Sequence, residues 1–157
     1  MGPLKDITVI EFSGIGPGPY CGMLLADLGA DVIRVSRKGA EGLENKYDIH
    51  NRSKRSITAD LKNKESVNEL LKLVAQVDVV FEGFRPGVME KLGIGPDDCL
   101  KVNPKLVYGR MTGWGQEGPM SKLAGHDINY ISLSGALNSI GRKDSNPTPP
   151  LNLIGDY

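Results

Sequence analysis

The sequence predicts an α/β protein built on a Rossmann-like, doubly wound parallel sheet. Two observations carry that prediction. A strand, a glycine-rich turn, a helix and a second strand follow one another within about thirty residues, the pattern of a βαβ unit with its right-handed crossover. Beyond that unit, short β-branched runs keep alternating with segments of helical period, an order of elements that covers both faces of one sheet.

Each element has a local reason. "ITVIEF" (7–12) is β-branched and apolar, as a buried strand requires. The loop "SGIGPGP" follows, then the helix-like "YCGMLLADLGA", closed by Gly29, and a second strand, "DVIRVSR" (31–37). The polar, glycine-containing stretch 38–56 reads as a long loop, and loops of that length inside a compact domain usually have a function. Val67, Leu70, Leu71 and Val74 fall at i, i+3, i+4 and i+7, one face of an amphipathic helix. "VDVVFEGF" (77–84) is the next strand, and "PGVMEKLG" reads as a short helix with Pro86 at its first position and Gly93 after its end. "PDDCLKVNP" is a further short helix, "KLVYGRMTGWG" a strand running into a glycine-rich loop, and "HDINYISLSGALNSIG" (126–141), apolar nearly all round, a buried helix.

Composition narrows the function classes. Nineteen basic and nineteen acidic side chains cancel, which gives no support for nucleic-acid binding. Between Arg34 and Lys64, however, nine Lys and Arg face four Asp and Glu, a local patch suited to an anionic ligand. Cys21 and Cys99 are too few and too separated for a disulfide framework or a zinc site, which favours a reducing, intracellular compartment. No apolar run is long enough to span a membrane, and Lys5, Asp6 and Glu11 interrupt any secretory signal at the N-terminus. "PPLNLIGDY" stops inside an apolar stretch, so the expectation is one domain over residues 1–157 that is part of a longer protein.

Ligands of such sheets bind beyond the carboxyl ends of the strands. The candidate loops are therefore 13–19, 36–56, 84–87 and 113–126. Gly14, Gly16 and Gly18 are spaced G-x-G-x-G, and Pro19 stands where a dinucleotide fingerprint has its third glycine. The second strand ends in Ser36, Arg37 and Lys38 rather than an acid, which suits a ribose bearing a phosphate: NADP or coenzyme A. Arg52, Lys54, Arg55 and Lys62 add to the basic run, and Arg85 follows a buried strand where an anion clamp fits.

His126, in "GHDINY", opens a helix whose free N–H groups disfavour imidazolium, and a neutral imidazole is what a general base needs. A cap or a satisfied core ring is the alternative. Asp156, in the apolar "LNLIGDY", is the second candidate, with burial expected to raise its pKa and an N-cap role as the competitor. Asp127 is equally placed to be the acid beside His126. Periodicity does not choose between them.

Taken together, "GIGPGP", "LLADLGADVIRV", "NRSKRSITADLK", "FRPGVMEKLGIGP", "LAGHDINY", "LSG" and "PLNLIGD" resemble the family III CoA-transferase superfamily, in its acyl-CoA racemase branch, over essentially the whole chain. The resemblance implies the N-terminal, CoA-binding large domain of that fold, with a second small domain outside these residues. It also implies interconversion of (2R)- and (2S)-2-methylacyl-CoA thioesters through an enolate, with no metal or redox cofactor. His126 and Asp156 would exchange the proton, and the helix start, including the Asp127 N–H, would stabilise the enolate oxygen. Arg37, Lys38, Arg52, Lys62 and Arg85 would hold the CoA nucleotide. Ile15 and Gly16 would lie beside the pantetheine, and Ala59, Leu61, Gly83 and Tyr130 would complete the substrate contacts. The family also implies an interlocked homodimer, and a peroxisomal or mitochondrial location in a eukaryote or a cytoplasmic one in a bacterium. Three rivals stand beside this: a CoA-transferase with Asp156 as acyl-accepting nucleophile, a non-catalytic acyl-CoA-binding or dimerisation module, and an NADP-dependent reductase, which Pro19 disfavours. Within the superfamily, a histidine at position 126 favours the racemase.

Overall fold

The computed structural model of the chain describes residues 2–39 and 47–157. They fall into two compact units, Met1–Met111 and Thr112–Tyr157. The first unit holds the sheet: β1 (Thr8–Phe12), β2 (Asp31–Ser36), β3 (Arg55–Thr58), β4 (Val79–Glu82) and β5 (Val107–Arg110). All pairings are parallel, in the order β3-β2-β1-β4-β5. The chain therefore builds outward from β1 through β2 to β3, then returns to the other side of β1 for β4 and β5. The switch point lies between β1 and β4, where doubly wound sheets bind ligands.

The two-residue period of a strand explains how both faces are filled. Val9 joins Val32 and Phe81 in a cluster with Ala26 and Ala30, beneath α1 (Pro17–Asp27). Its neighbour Ile10 points the other way, with Phe12, Val35 and Val80, against Val67, Leu70 and Val74 of α2 (Lys64–Val74). Met89 of α3 (Val88–Leu92) and Cys99 of α4 (Pro96–Val102) complete that second cluster. Burying each such aliphatic side chain contributes roughly 1.5–3 kcal/mol. α2 is also well terminated, since Asn63 Oδ1 accepts the N–H groups of Glu65 at 2.8 Å and Ser66 at 3.2 Å.

The structure departs from the sequence reading in four places. α1 begins at Pro17, three residues before the expected Tyr20, because Pro fits the first helical turn. The stretch read as a loop contains a 3-10 turn at Ile49–Asn51 and the start of edge strand β3, whose four residues are all exposed and so lack the alternation that marks a half-buried strand; residues 40–46 lie outside the described residues. α3 starts at Val88 rather than at Pro86, because Gly87 at φ 83° makes a left-handed turn in between. The long buried helix expected over 126–141 is instead α5 (Asp127–Leu133) followed by a 3-10 turn at Ala136–Ser139. Gly135, at φ 82°, breaks it. Among the described residues, no helix is long and apolar enough to cross a membrane.

Candidate active site

The acid/base candidates lie in the second unit. His126 is the N-cap residue of α5, in extended conformation, and its ring is exposed, which removes the core-histidine alternative. His126 and Asn129 form a capping box, in which Asn129 Oδ1 accepts the His126 N–H at 2.9 Å, so the cap reading of His126 stands beside the acid/base one. The turn before His126 is clamped by aromatics. The Tyr130 and Trp114 rings meet edge-on at 4.9 Å, and Trp114 Nε1 donates to the Ala124 carbonyl at 3.4 Å. A Cβ on Gly125 would sit 2.7 Å from the Tyr130 ring and 2.8 Å from Trp114 Nε1, so only glycine fits directly before His126.

Asp127 is buried at the first position of α5. Its Oδ1 accepts three backbone N–H groups: Ile154 at 2.8 Å, Gly155 at 2.5 Å and Asp156 at 3.2 Å. These bonds, that from Gly155 foremost, hold its carboxyl below the usual carboxylate range. Its side chain is therefore turned to the 154–156 backbone. Asp156 is half-buried and follows exposed residues, so the enclosed apolar setting expected for it is not what surrounds it. Its charge reaches Tyr130: desolvation, and then the Asp156 carboxylate, raise the phenol.

In the first unit, the parallel sheet delivers most of the expected ligand contacts to one edge. Ile15 and Gly16 follow β1, Arg37 and Lys38 follow β2, Ala59, Leu61 and Lys62 follow β3, and Gly83 and Arg85 follow β4. Arg37, Lys38, Lys62 and Arg85 are exposed, and Ile15 is 95% exposed. Gly16, at φ 71°, starts α1 in a conformation that favours glycine. Ala59 and Leu61 pack into the core, and the Ala59 N–H donates to the Ser36 carbonyl at 2.9 Å, so neither side chain faces outward with the cations. Arg52 is not with this group: its guanidinium forms a two-pronged ion pair with Asp27, at the far end of α1. Arg55 pairs with Asp31 in the same way. Cys21 and Cys99 are both free thiols, and burial pushes Cys99 up to about 12.

Two buried carboxylates were not foreseen. Glu11 is fully buried, and its Oε2 receives Lys54 Nζ at 2.6 Å, while the same ammonium donates to the Pro19 carbonyl at 2.9 Å. Burial raises the Glu11 carboxyl and Lys54 opposes that rise. Gly22 makes the space, since a Cβ there would lie 1.9 Å from Glu11 Oε2. Glu82, at the end of β4, accepts the Phe84 N–H at 2.6 Å and lies 3.6 Å from Arg110 Nε, which fixes the turn that carries Gly83 to Arg85. The signal was present: each glutamate is a charge late in a mostly apolar strand run, where a charge needs a partner.

Known proteins share the sequence and the fold. The chain is 53% identical to the α-methylacyl-CoA racemase of Mus musculus and 49% identical to that of Homo sapiens, over 98% of its own length in each case. It spans about two fifths of those curated relatives, 39% and 40% of their lengths. The crystal structure of Rv3272 from Mycobacterium tuberculosis superposes with a TM-score of 0.86 at 36% identity, covering 99% of this chain and 45% of that one. Residues 4–157 match CoA-transferase family III, and with the parallel sheet in common the chain belongs to that family.

Proposed function

We propose that the complete protein interconverts the (2R) and (2S) forms of 2-methylacyl-CoA thioesters by 1,1-proton transfer. The thioester carbonyl acidifies the α-C–H bond. One group removes that proton, leaving an enolate, and a second delivers a proton to the opposite face of the same carbon. His126 and Asp156 take these two roles, and the enantiomer bound decides which of them acts as base. The observation that carries this reading is the bond set of Asp127, which ties the segment of Asp156 to the residue directly after His126. The N–H of Asp127, in the first turn of α5, would donate to the enolate oxygen where charge develops.

The exposed cations at the carboxyl edge of the sheet, Arg37, Lys38, Lys62 and Arg85, would hold the CoA phosphates, with Ile15 and Gly16 beside the pantetheine. Arg52 would join them only by leaving Asp27. Proton transfer of this kind calls for no resident metal or redox cofactor, because the thioester itself supplies the acidity. The same reading carries an interlocked homodimer and, in a eukaryote, a peroxisomal or mitochondrial location.

The test is α-proton exchange of a 2-methylacyl-CoA in D2O, followed by NMR on the complete protein. Deuteration with loss of optical purity, in the absence of any acceptor acid, is the expected result. The family description favours a second reading, in which Asp156 attacks the thioester and passes CoA to a carboxylic acid. Exchange that requires an acceptor carboxylate, or that survives His126→Ala combined with Asp156→Ala, would sink the racemase.

A further inference from the structure

We infer that Asp127 is a positioning residue for the proton transfer, setting where Asp156 stands relative to His126 through the three backbone N–H groups its carboxylate accepts. The inference rests on the racemase reading above, and it assigns a role to a side chain rather than to the Asp127 backbone. Asp127 is covalently next to His126, so whatever is anchored on its side chain is anchored relative to that histidine. The anchor is a single oxygen gathering three consecutive donors, at 2.8, 2.5 and 3.2 Å, the last of them the N–H of Asp156 itself. Hydrogen bonds to an ionised acceptor are roughly twice as strong as neutral ones, and they are directional.

A second observation supports the same close approach. A Cβ on Gly155 would lie 3.1 Å from Ile131 Cγ2, 3.2 Å from Tyr130 Cβ and 3.3 Å from the Asp127 carbonyl oxygen. The loop thus rests against the first two turns of α5 at a distance that a larger residue would widen. Residue 155 is the neighbour of Asp156, and the widening would pass to that carboxylate. Displacements of about 1 Å at a reacting group cost on the order of 10²-fold in rate.

The experiment uses the complete protein and both pure enantiomers of a 2-methylacyl-CoA. For wild type, Asp127→Ala, Asp127→Asn, Gly155→Ala and Asp156→Ala, the initial α-deuteration rate is read by NMR, and affinity for CoA alone by calorimetry. Asp127→Ala is expected to lose on the order of 10²-fold in deuteration, with the Kd for CoA unchanged within about twofold. The loss should be greater for the enantiomer that Asp156→Ala also impairs more, and Asp127→Asn, which keeps one acceptor oxygen, should recover part of it. Combining Asp127→Ala with Asp156→Ala should add little to Asp156→Ala alone, because groups acting as one unit are not additive. A side chain that merely stabilised the fold would impair both enantiomers equally and multiply with Asp156→Ala, and that outcome overturns the inference. If Asp127→Ala fails to fold by circular dichroism, Asp127→Asn and Gly155→Ala decide: exchange in both within about twofold of wild type overturns it. Absence of exchange in wild type instead removes the racemase reading itself.

Discussion

The two units of this chain solve different problems with different means. The first buries its central strands on both faces: Val9, Val32, Ile10 and Val80 are essentially inaccessible, and even the charges Glu11 and Lys54 are enclosed. The second buries only Asp127 and Ile131 among its residues and leaves Leu133, Leu151 and Ile154 exposed. Its local order comes from polar and aromatic devices instead, namely the Asp127 bonds, the Asn129 cap and the Tyr130–Trp114 contact. The difference teaches that the candidate phosphate-holding loops stand on a hydrophobic scaffold, whereas the candidate proton-transfer groups stand on a hydrogen-bonded one. Substitutions should therefore register as lost stability in the first unit and as lost geometry in the second.

The largest effect tests the first half of that contrast. Lys54→Met takes from the buried Glu11 the cation that bonds it, leaving only the longer-range charge of Arg34 on the neighbouring strand, and breaking a buried pair in this way costs about 3–5 kcal/mol. Urea denaturation followed by circular dichroism should show that loss, and Glu11→Met in the same background should restore much of it, because the charge left stranded is then removed. A cost under about 1 kcal/mol, the range of a surface ion pair, would mean that the central strand tolerates Glu11 without Lys54 and that the first unit is less hydrophobic in character than its burial implies.

Next in size is Gly125→Ala. The added methyl meets Tyr130 and Trp114 at under 3 Å, so His126 must shift or the rings must part. In the complete protein the expected result is a drop in α-proton exchange of on the order of 10²-fold, about 2.7 kcal/mol of barrier, with the thermal midpoint little changed. A fall in stability with exchange per folded molecule unchanged would reverse the assignment of geometry to the second unit.

What the sequence disclosed follows the same division. Strands β1, β2 and β4 and the buried face of α2 were legible because hydrophobic burial imposes its own period, as in Val67, Leu70 and Val74. Arg37, Lys38 and Arg85 were legible as edge residues because all strands point one way. Strand β3 was not, because its RSIT residues are exposed and its pairing is carried by the backbone alone. Nor was the 126–141 segment: its apolar side chains suggested a buried helix, yet the positive φ of Gly135 decides its conformation. The Asp127 bonds join residues 27 to 29 positions apart, through main-chain donors that carry no side-chain signature. Composition could place Asp127 beside His126 but could not say which way its carboxylate turned.

A smaller effect follows from pH. The carboxyl of Asp127 is held below its ordinary value of 3.8 by the backbone donors of 154–156. A depressed folded-state pKa contributes stability that is complete above the ordinary value and is lost as pH falls through the depressed one. Trp114 is the single tryptophan of these 157 residues and belongs to the second unit, so its fluorescence reports on that unit. Emission should hold steady as pH is lowered to about 4 and change below it, and Asp127→Asn should flatten that acid limb. An identical limb in the variant would assign the transition to other carboxylates.

The smallest expected effect bears on the exposed apolar side chains of the second unit. Leu133 is 67% exposed at the last position of α5, so its removal forfeits little buried area. Leu133→Ser should change the stability of the 157-residue chain by no more than about 0.5 kcal/mol, the usual range for a surface substitution. Solubility should respond more than stability, because Ile128, Leu133, Leu151 and Ile154 add exposed apolar area, and large patches of that kind drive association. Analytical ultracentrifugation at rising concentration separates the two: reduced self-association at constant stability is expected. A stability loss above about 1 kcal/mol would be out of range for a surface site. It would show that Leu133 packs against a core of the second unit's own, and the contrast between a hydrophobic scaffold and a hydrogen-bonded one would have to be redrawn.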